Sequence, residues 1–289
     1  MLSRTRLRHR RVAHGVVVTV AALALTACGA ASDVDAFPGG TDDADSTATL
    51  PRPEPDAPTA EAPDALSAES EGPLSGTTIV VDPGHNGGNA DAPEQINREV
   101  DAGPETKACN TVGAATSDGY PEHEFTFELA QQVAEELRDS GAEVVLTRED
   151  NDGVGPCINE RAAIANDADA ELMLSLHADG GPPTGRGFHV IAPELLPDYT
   201  EDIAGPSLDF AESLRDAFRD GTDMPVADYV GSEGIDVRGD LGGLNLSEIP
   251  AVFLEAGNMR NAEDAELLTN ESWRADAATA IDTAIRNHL

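Results

Sequence analysis

Three runs of apolar or β-branched residues in this chain lead into a residue that can bind a metal or move a proton. "TIVV" passes through Asp82, Pro83 and Gly84 to His85, "LMLSL" leads to His177, and "AVFL" leads to Glu255. One histidine after a strand is more often a cap or a hydrogen-bonded core residue. Three runs that end this way in one chain are harder to set aside. Two neutral imidazoles and a carboxylate suit zinc, and a catalytic zinc takes three protein ligands and leaves a position open for water. Hydrolysis also needs a base to take the proton of that water. The chemistry therefore calls for two histidines and two carboxylates. A second carboxylate is offered by "GYPEHEFTFELA", where Glu122, His123 and Glu124 lead into an amphipathic stretch. Acidic residues also favour helix starts for capping alone, so that run by itself identifies nothing.

The elements that must position these residues alternate along the chain. Residues 77–81 form a short β-branched run, and 86–121, rich in Gly, Asn, Asp and Pro, read as a long loop. Phe125, Leu129, Val133 and Leu137 recur every four residues, which predicts a helix over 125–140 stopped by Gly141. "AEVVLT", "AELMLSL", "GFHVIA" and "AVFLE" read as strands. Helices are predicted over 158–167 and 207–220, with two more at the C-terminus. This alternation predicts an α/β fold, a mostly parallel twisted sheet flanked by helices in a single catalytic domain. In open sheets of that kind ligands bind beyond the carboxyl ends of the strands. His85, His177 and Glu255 would converge there.

Acidic residues outnumber basic ones 54 to 18, for a formal net charge of −36, and Lys107 is the single lysine. Such a chain repels nucleic acid and anionic lipid, which makes both poor partners. "GHNGG" fits no nucleotide-binding loop, and no G-x-S-x-G elbow is present.

Residues 1–27 read as an export signal. Arg4, Arg6, Arg8, Arg10 and Arg11 precede "VVVTVAALALTA", which has the length of a signal-peptide core and is short for a membrane span. Leu25-Thr26-Ala27-Cys28 resembles a bacterial lipobox. Cys28 is therefore expected to carry lipid and to anchor the protein to the cell membrane from outside the cytoplasm; an ordinary secretory signal is the alternative. Residues 28–75, dominated by Asp, Glu, Ala, Pro, Ser and Thr, cannot bury a core and read as a disordered tether. As a coil the tether spans roughly 40 Å. The catalytic domain is expected over 76–289, as a monomer whose membrane contact is the lipid alone. With Cys28 assigned to lipid, Cys109 and Cys157 remain as an even pair. Outside the cytoplasm such a pair reads as a disulfide, contributing about 2–4 kcal/mol. The rival reading is one reactive thiol.

The runs "VVDPGHNG", "YPEHEFTFELA", "LTRED", "ERAAIAN", "SLHADGG" and "IPAVFLEAGNMRN" resemble the zinc-dependent N-acetylmuramoyl-L-alanine amidases of the amidase_3 type, in order from about Thr77 to the C-terminus. The loop with Cys109, "GPC" at 155–157 and "SLHADGGPPTGRGFHV" is especially similar to the mycobacterial members. The resemblance implies that His85, Glu122 and His177 hold one Zn2+ and that Glu255 is the catalytic carboxylate. Glu122 and Glu124 lie two apart and compete for the middle position. The "YPEH" context and the spacing to Ala130 match the family at Glu122. The implied substrate is peptidoglycan or its muropeptides, and the implied reaction is hydrolysis of the amide joining N-acetylmuramic acid to L-alanine of the stem peptide. Wall remodelling, turnover or daughter-cell separation would be its setting. Two readings of other classes compete: a cysteine-dependent wall peptidase using Cys109 or Cys157, and a catalytically inactive wall-binding lipoprotein. His189 reads as a strand residue, His123 as a neighbour of the site or exposed, and Arg186 as a solvated loop residue. Asp82 either orients a ligating imidazole or serves the turn.

Overall fold

The computed structural model describes residues 72–289. The expected signal, Cys28 and most of the tether lie outside the described residues. In chain order the elements are β1 (Thr78–Pro83), one-turn helix α1 (Pro93–Ile96), β2 (Glu99–Asp101), β3 (Thr106–Ala108), α2 (Glu122–Asp139), β4 (Glu143–Leu146), α3 (Ile158–Asp167), β5 (Leu172–Asp179), β6 (His189–Pro193), α4 (Ala204–Gly221), β7 (Ile235–Arg238), short α5 (Gly242–Asn245), β8 (Ala251–Asn258), α6 (Ala262–Leu268) and α7 (Glu271–His288).

Six strands form one sheet in the order β4-β1-β5-β8-β6-β7. The first four are mutually parallel, β6 runs antiparallel to β8, and β7 is parallel to β6. The expected mostly parallel α/β fold is present. The expected long loop over 86–121 is not uniform, because it contains α1 and the antiparallel pair β2–β3. Three-residue strands carry too little periodicity to stand out among Gly, Asn and Pro. The folded unit also starts before residue 76: Leu74 is buried and its N–H donates to Ser140 O at 2.9 Å.

Strand alternation divides the sheet into two faces. Leu172, Leu174, Leu176, Val252 and Leu254 point into the main core, where α2, α4 and α7 cover them. The α2 stripe of Phe125, Leu129, Val133 and Leu137 is fully buried there, and each such side chain contributes about 1.5–3 kcal/mol. Val80, Met173, Ile191 and Ala251 face the other way, toward Ala165 of α3 and Leu244 of α5. This second cover is thin. His177 and Glu255 follow Met173 and Ala251 on that face at even spacing, at the carboxyl ends of β5 and β8. Among the described residues no helix is long and apolar enough to cross a membrane.

Candidate metal centre

His85 lies two residues beyond β1 with φ of 60°, a left-handed conformation uncommon for a residue with a Cβ. Two buried arginines hold the turn that presents it. Arg148 Nε donates to Pro83 O at 3.0 Å and Nη2 to Gly84 O at 3.3 Å. Arg161 Nη1 donates to Pro83 O at 2.8 Å and Nη2 to His85 O at 2.7 Å. Arg161 is anchored in turn on Asp82, which also accepts from the hydroxyls of Thr147 and Ser175. Burial alone would raise the Asp82 carboxyl, but Arg161 and the two hydroxyls outweigh it and hold it below its ordinary value. Burial and the neighbouring Arg161 push Arg148 down to about 10. Asp82 therefore serves the turn through Arg161, and its hydrogen bonds do not go to an imidazole.

His85 Nδ1 lies 3.1 Å from the accepting carbonyl of Thr111, so Nε2 is the ring nitrogen turned toward Glu122. Nε2 lies 3.0 Å from Glu122 Oε1, and His177 Nδ1 lies 2.9 Å from the same oxygen. Glu122 opens α2 after the extended Pro121. Ala114 N donates to its Oε2 at 2.7 Å and Ala178 N to its Oε1 at 3.2 Å. Burial would raise the Glu122 carboxyl, but both imidazoles overcome it and keep it far below the ordinary range. Burial likewise would lower His85, yet Glu122 draws it above its ordinary value. The three ligand atoms lie within 4.8 Å of one another. Two imidazole nitrogens and a carboxylate oxygen, each oriented from behind by a hydrogen bond or a packed ring, form a donor set that fits zinc.

Close approach makes two glycines necessary. A Cβ on Gly84 would come within 2.3 Å of the His177 ring. Gly113, at φ +87°, would place one 2.9 Å from both Glu122 Oε2 and the His85 ring. The other side of the His177 ring stacks on Phe253, with centroids 5.0 Å apart and planes 5° from parallel.

Glu255 stands beside His177 in the register of β5 and β8. Among the described residues its Oε2 is buried without a hydrogen-bond partner. Burial, followed by the charges of Glu122 and Asp179, pushes its carboxyl well above the ordinary range, with Arg238 opposing. All four expected residues line one cleft of about 540 Å³, which continues over Phe253 and Ile191 to Arg238 and Asp240.

The structure excludes the neighbours. Glu124 is not among the clustered ligands, and His123 Nδ1 bonds Asn151 Oδ1 at 3.1 Å. His189 is a buried strand residue opposite Glu255 on β6, and burial lowers its pKa. Arg186 is not a solvated loop residue: it pairs with Glu263, and with Asp264 at 3.1 Å, tying the loop after β5 to α6. Cys109 and Cys157 are joined in a disulfide, with Cys157 as the N-cap of α3. That bond removes both thiols from the reach of a nucleophilic mechanism. The supporting roles of Arg148, Arg161, Thr111 and Phe253 are visible only in the folded chain. The runs "LTRED" and "ERAAIAN" contain both arginines, but a charged residue in a single sequence carries no sign that it is buried.

Comparison with known proteins agrees with this geometry. The profile of the Amidase_3 family, described as N-acetylmuramoyl-L-alanine amidase, matches residues 79–287. The N-acetylmuramoyl-L-alanine amidase Rv3717 of Mycobacterium tuberculosis is 40% identical over 217 residues, covering 75% of this chain and 88% of that protein. The crystal structure of the N-acetylmuramyl-L-alanine amidase Ami1 from Mycobacterium smegmatis superposes with a TM-score of 0.70 at 41% identity, covering 74% of this chain and 97% of that one. The apo Ami1 of Mycobacterium abscessus gives a TM-score of 0.70 at 38% identity, over 74% and 99%.

Proposed function

This chain belongs to the Amidase_3 family and is an N-acetylmuramoyl-L-alanine amidase acting on peptidoglycan, and from that premise we propose that it is zinc-dependent and uses Glu255 as its proton carrier. The observation that carries this reading is the convergence of His85, Glu122 and His177 within 4.8 Å, beside Glu255 in strand register. His85 Nε2, Glu122 Oε1 and His177 Nδ1 would hold the ion. Zinc held there lowers the pKa of a bound water toward ~7 and polarises a carbonyl.

The remaining work belongs to the protein. Glu255 takes one proton as water adds to the carbonyl carbon of the lactyl–L-alanine amide. It then delivers that proton to the departing nitrogen of L-alanine as the C–N bond breaks. The products are a free lactyl carboxylate and a free stem-peptide amine. A carboxyl whose pKa is raised by burial and neighbouring charge suits the delivery step. Thr111 and the Arg148–Arg161 clamp keep His85 facing Glu122, and Phe253 fixes the plane of His177.

In the same reading the enzyme is exported, lipidated at Cys28 and tethered at the membrane, where it serves wall remodelling, turnover or daughter-cell separation. The export motifs at residues 1–28 support that setting. Replacing Cys28 with serine should release the protein from membranes, and persistence there would refute lipidation. Zinc dependence is tested by inhibition. A chelator should stop hydrolysis of muropeptides, added zinc should restore it, and a thiol alkylator should have no effect. The reverse pattern would favour a cysteine peptidase, and zinc-loaded protein without turnover would favour an inactive wall-binding lipoprotein.

A further inference from the structure

The cleft has a second, charged end. Lys107 of β3, Arg238 at the end of β7 and Asp240 line it together, away from the metal-binding side chains. Asp240 accepts from Arg238 Nε and Nη2 at 2.8 Å each and lies 3.4 Å from Lys107 Nζ. Lys107 also lies 3.4 Å from Glu105. Among the described residues Arg238 Nη1 makes no hydrogen bond, and both contacts of Lys107 are long. The remaining cation on the cleft wall, Arg161, is already engaged by Asp82 and the His85 turn. Of the three lysine and arginine side chains on the cleft wall, the two with donors to spare share one end of it.

The spacing fits a peptide. Arg238 is opposite Pro193, four residues along β6 from His189, which is opposite Glu255. At about 3.3 Å per residue, Arg238 lies ~13 Å along the strands from the Glu255 row. An extended peptide advances about 3.3–3.6 Å per residue. Between backbones that distance is about four residues of extended peptide; the long Arg238 side chain lines the same cleft as Glu255 and shortens the span to the second or third residue beyond a scissile amide at Glu255, over the apolar floor of Phe253 and Ile191.

We propose that Arg238 and Lys107, bridged by Asp240, form a carboxylate subsite that binds an acidic residue of the stem peptide beyond the L-alanine. This rests on the amidase reading above. Arg238 contributes a planar donor pair and Lys107 a point charge, while Asp240 holds them together and tempers their net charge. Binding at this distance from the reacting bond is uniform through the reaction, so it sets KM and leaves kcat unchanged.

The test uses the zinc-loaded full-length protein with N-acetylmuramoyl-L-alanyl-D-glutamate and the diamide of the same compound. The wild type should show the lower KM for the diacid. Arg238→Gln should raise the KM for the diacid about tenfold, the loss of one charge-assisted contact, with kcat and the diamide KM unchanged. Lys107→Gln, on a different element, should move the same parameter, Arg238→Lys should recover part of it, and Asp240→Asn should lower the KM for the diacid. Equal effects on diacid and diamide, or no effect of Arg238→Gln on either, would overturn the subsite while leaving the amidase reading intact. Failure of the wild type to cleave either compound would overturn both.

Discussion

His177 and Glu255 occupy directly paired positions on the neighbouring parallel strands β5 and β8. The pairing places an imidazole of the candidate metal site and a carboxylate whose Oε2 has no hydrogen-bond partner among the described residues on one face of the sheet, with the backbone ladder fixing their separation. The proposed ligand and proton carrier are thus set by paired strands of the sheet. Glu255→Gln keeps the shape and removes the proposed proton carrier. It should retain stoichiometric zinc and a native melting temperature while kcat falls about 10²–10⁴-fold, measured as turnover of a soluble muropeptide.

The choice between Glu122 and Glu124 follows from where α2 begins. Glu122 is its first residue, with a carboxylate shared by His85 and His177, whereas Glu124 lies outside the cluster. Glu122→Ala should lose zinc, and Glu124→Ala should retain it in stoichiometric amount. Metal analysis of the two purified variants decides the point.

Much of this site was legible because each contributing strand is an apolar run that stops at its functional residue. Val80–Val81 before His85, Leu174–Leu176 before His177 and Val252–Leu254 before Glu255 are buried, apart from Phe253, which turns to the cleft. What was not legible involves partners distant in sequence. The antiparallel entry of β6 beside β8 depends on tertiary pairing, since "GFHVIA" reads the same in either direction. The four residues of β7, which place Arg238 in the cleft, carry too short a pattern to separate from a loop. The Asp82–Arg161 pair joins residues 79 positions apart, and no local pattern announces a buried arginine.

That pair predicts an acid-sensitive contribution to stability. The Asp82 carboxyl titrates lower in the folded protein than in the unfolded chain. Its stabilising effect is therefore fully present above the unfolded value of ~3.9 and is lost as pH falls through the lower folded value. Asp82→Asn leaves Arg161 buried without its counter-charge and should cost about 3–5 kcal/mol at neutral pH. Denaturant titrations should show the gap between wild type and variant closing below about pH 3.9. A gap that stays constant across that range would contradict the buried ion pair.

The disulfide spans a sequence separation of 48 and ties the segment after β3 to the start of α3. Closing that loop restricts the unfolded chain by about 2–4 kcal/mol. The double variant Cys109→Ser, Cys157→Ser should unfold at a lower temperature. At temperatures where it stays folded it should still hydrolyse muropeptides, because neither sulfur takes part in the chemistry. Loss of activity in a fully folded variant would assign the cysteines a more direct role.

The proposed chemistry is hydrolysis of one particular amide in this cleft by water addition, with Glu255 carrying the proton. Mass spectrometry of products from a defined muropeptide, digested by wild type and by Glu255→Gln, tests it most directly. The expected products are a free lactyl carboxylate on N-acetylmuramic acid and a peptide beginning with the free amine of L-alanine, formed by wild type and nearly absent with Glu255→Gln. Cleavage within the peptide or the glycan, or undiminished cleavage by Glu255→Gln, would contradict it.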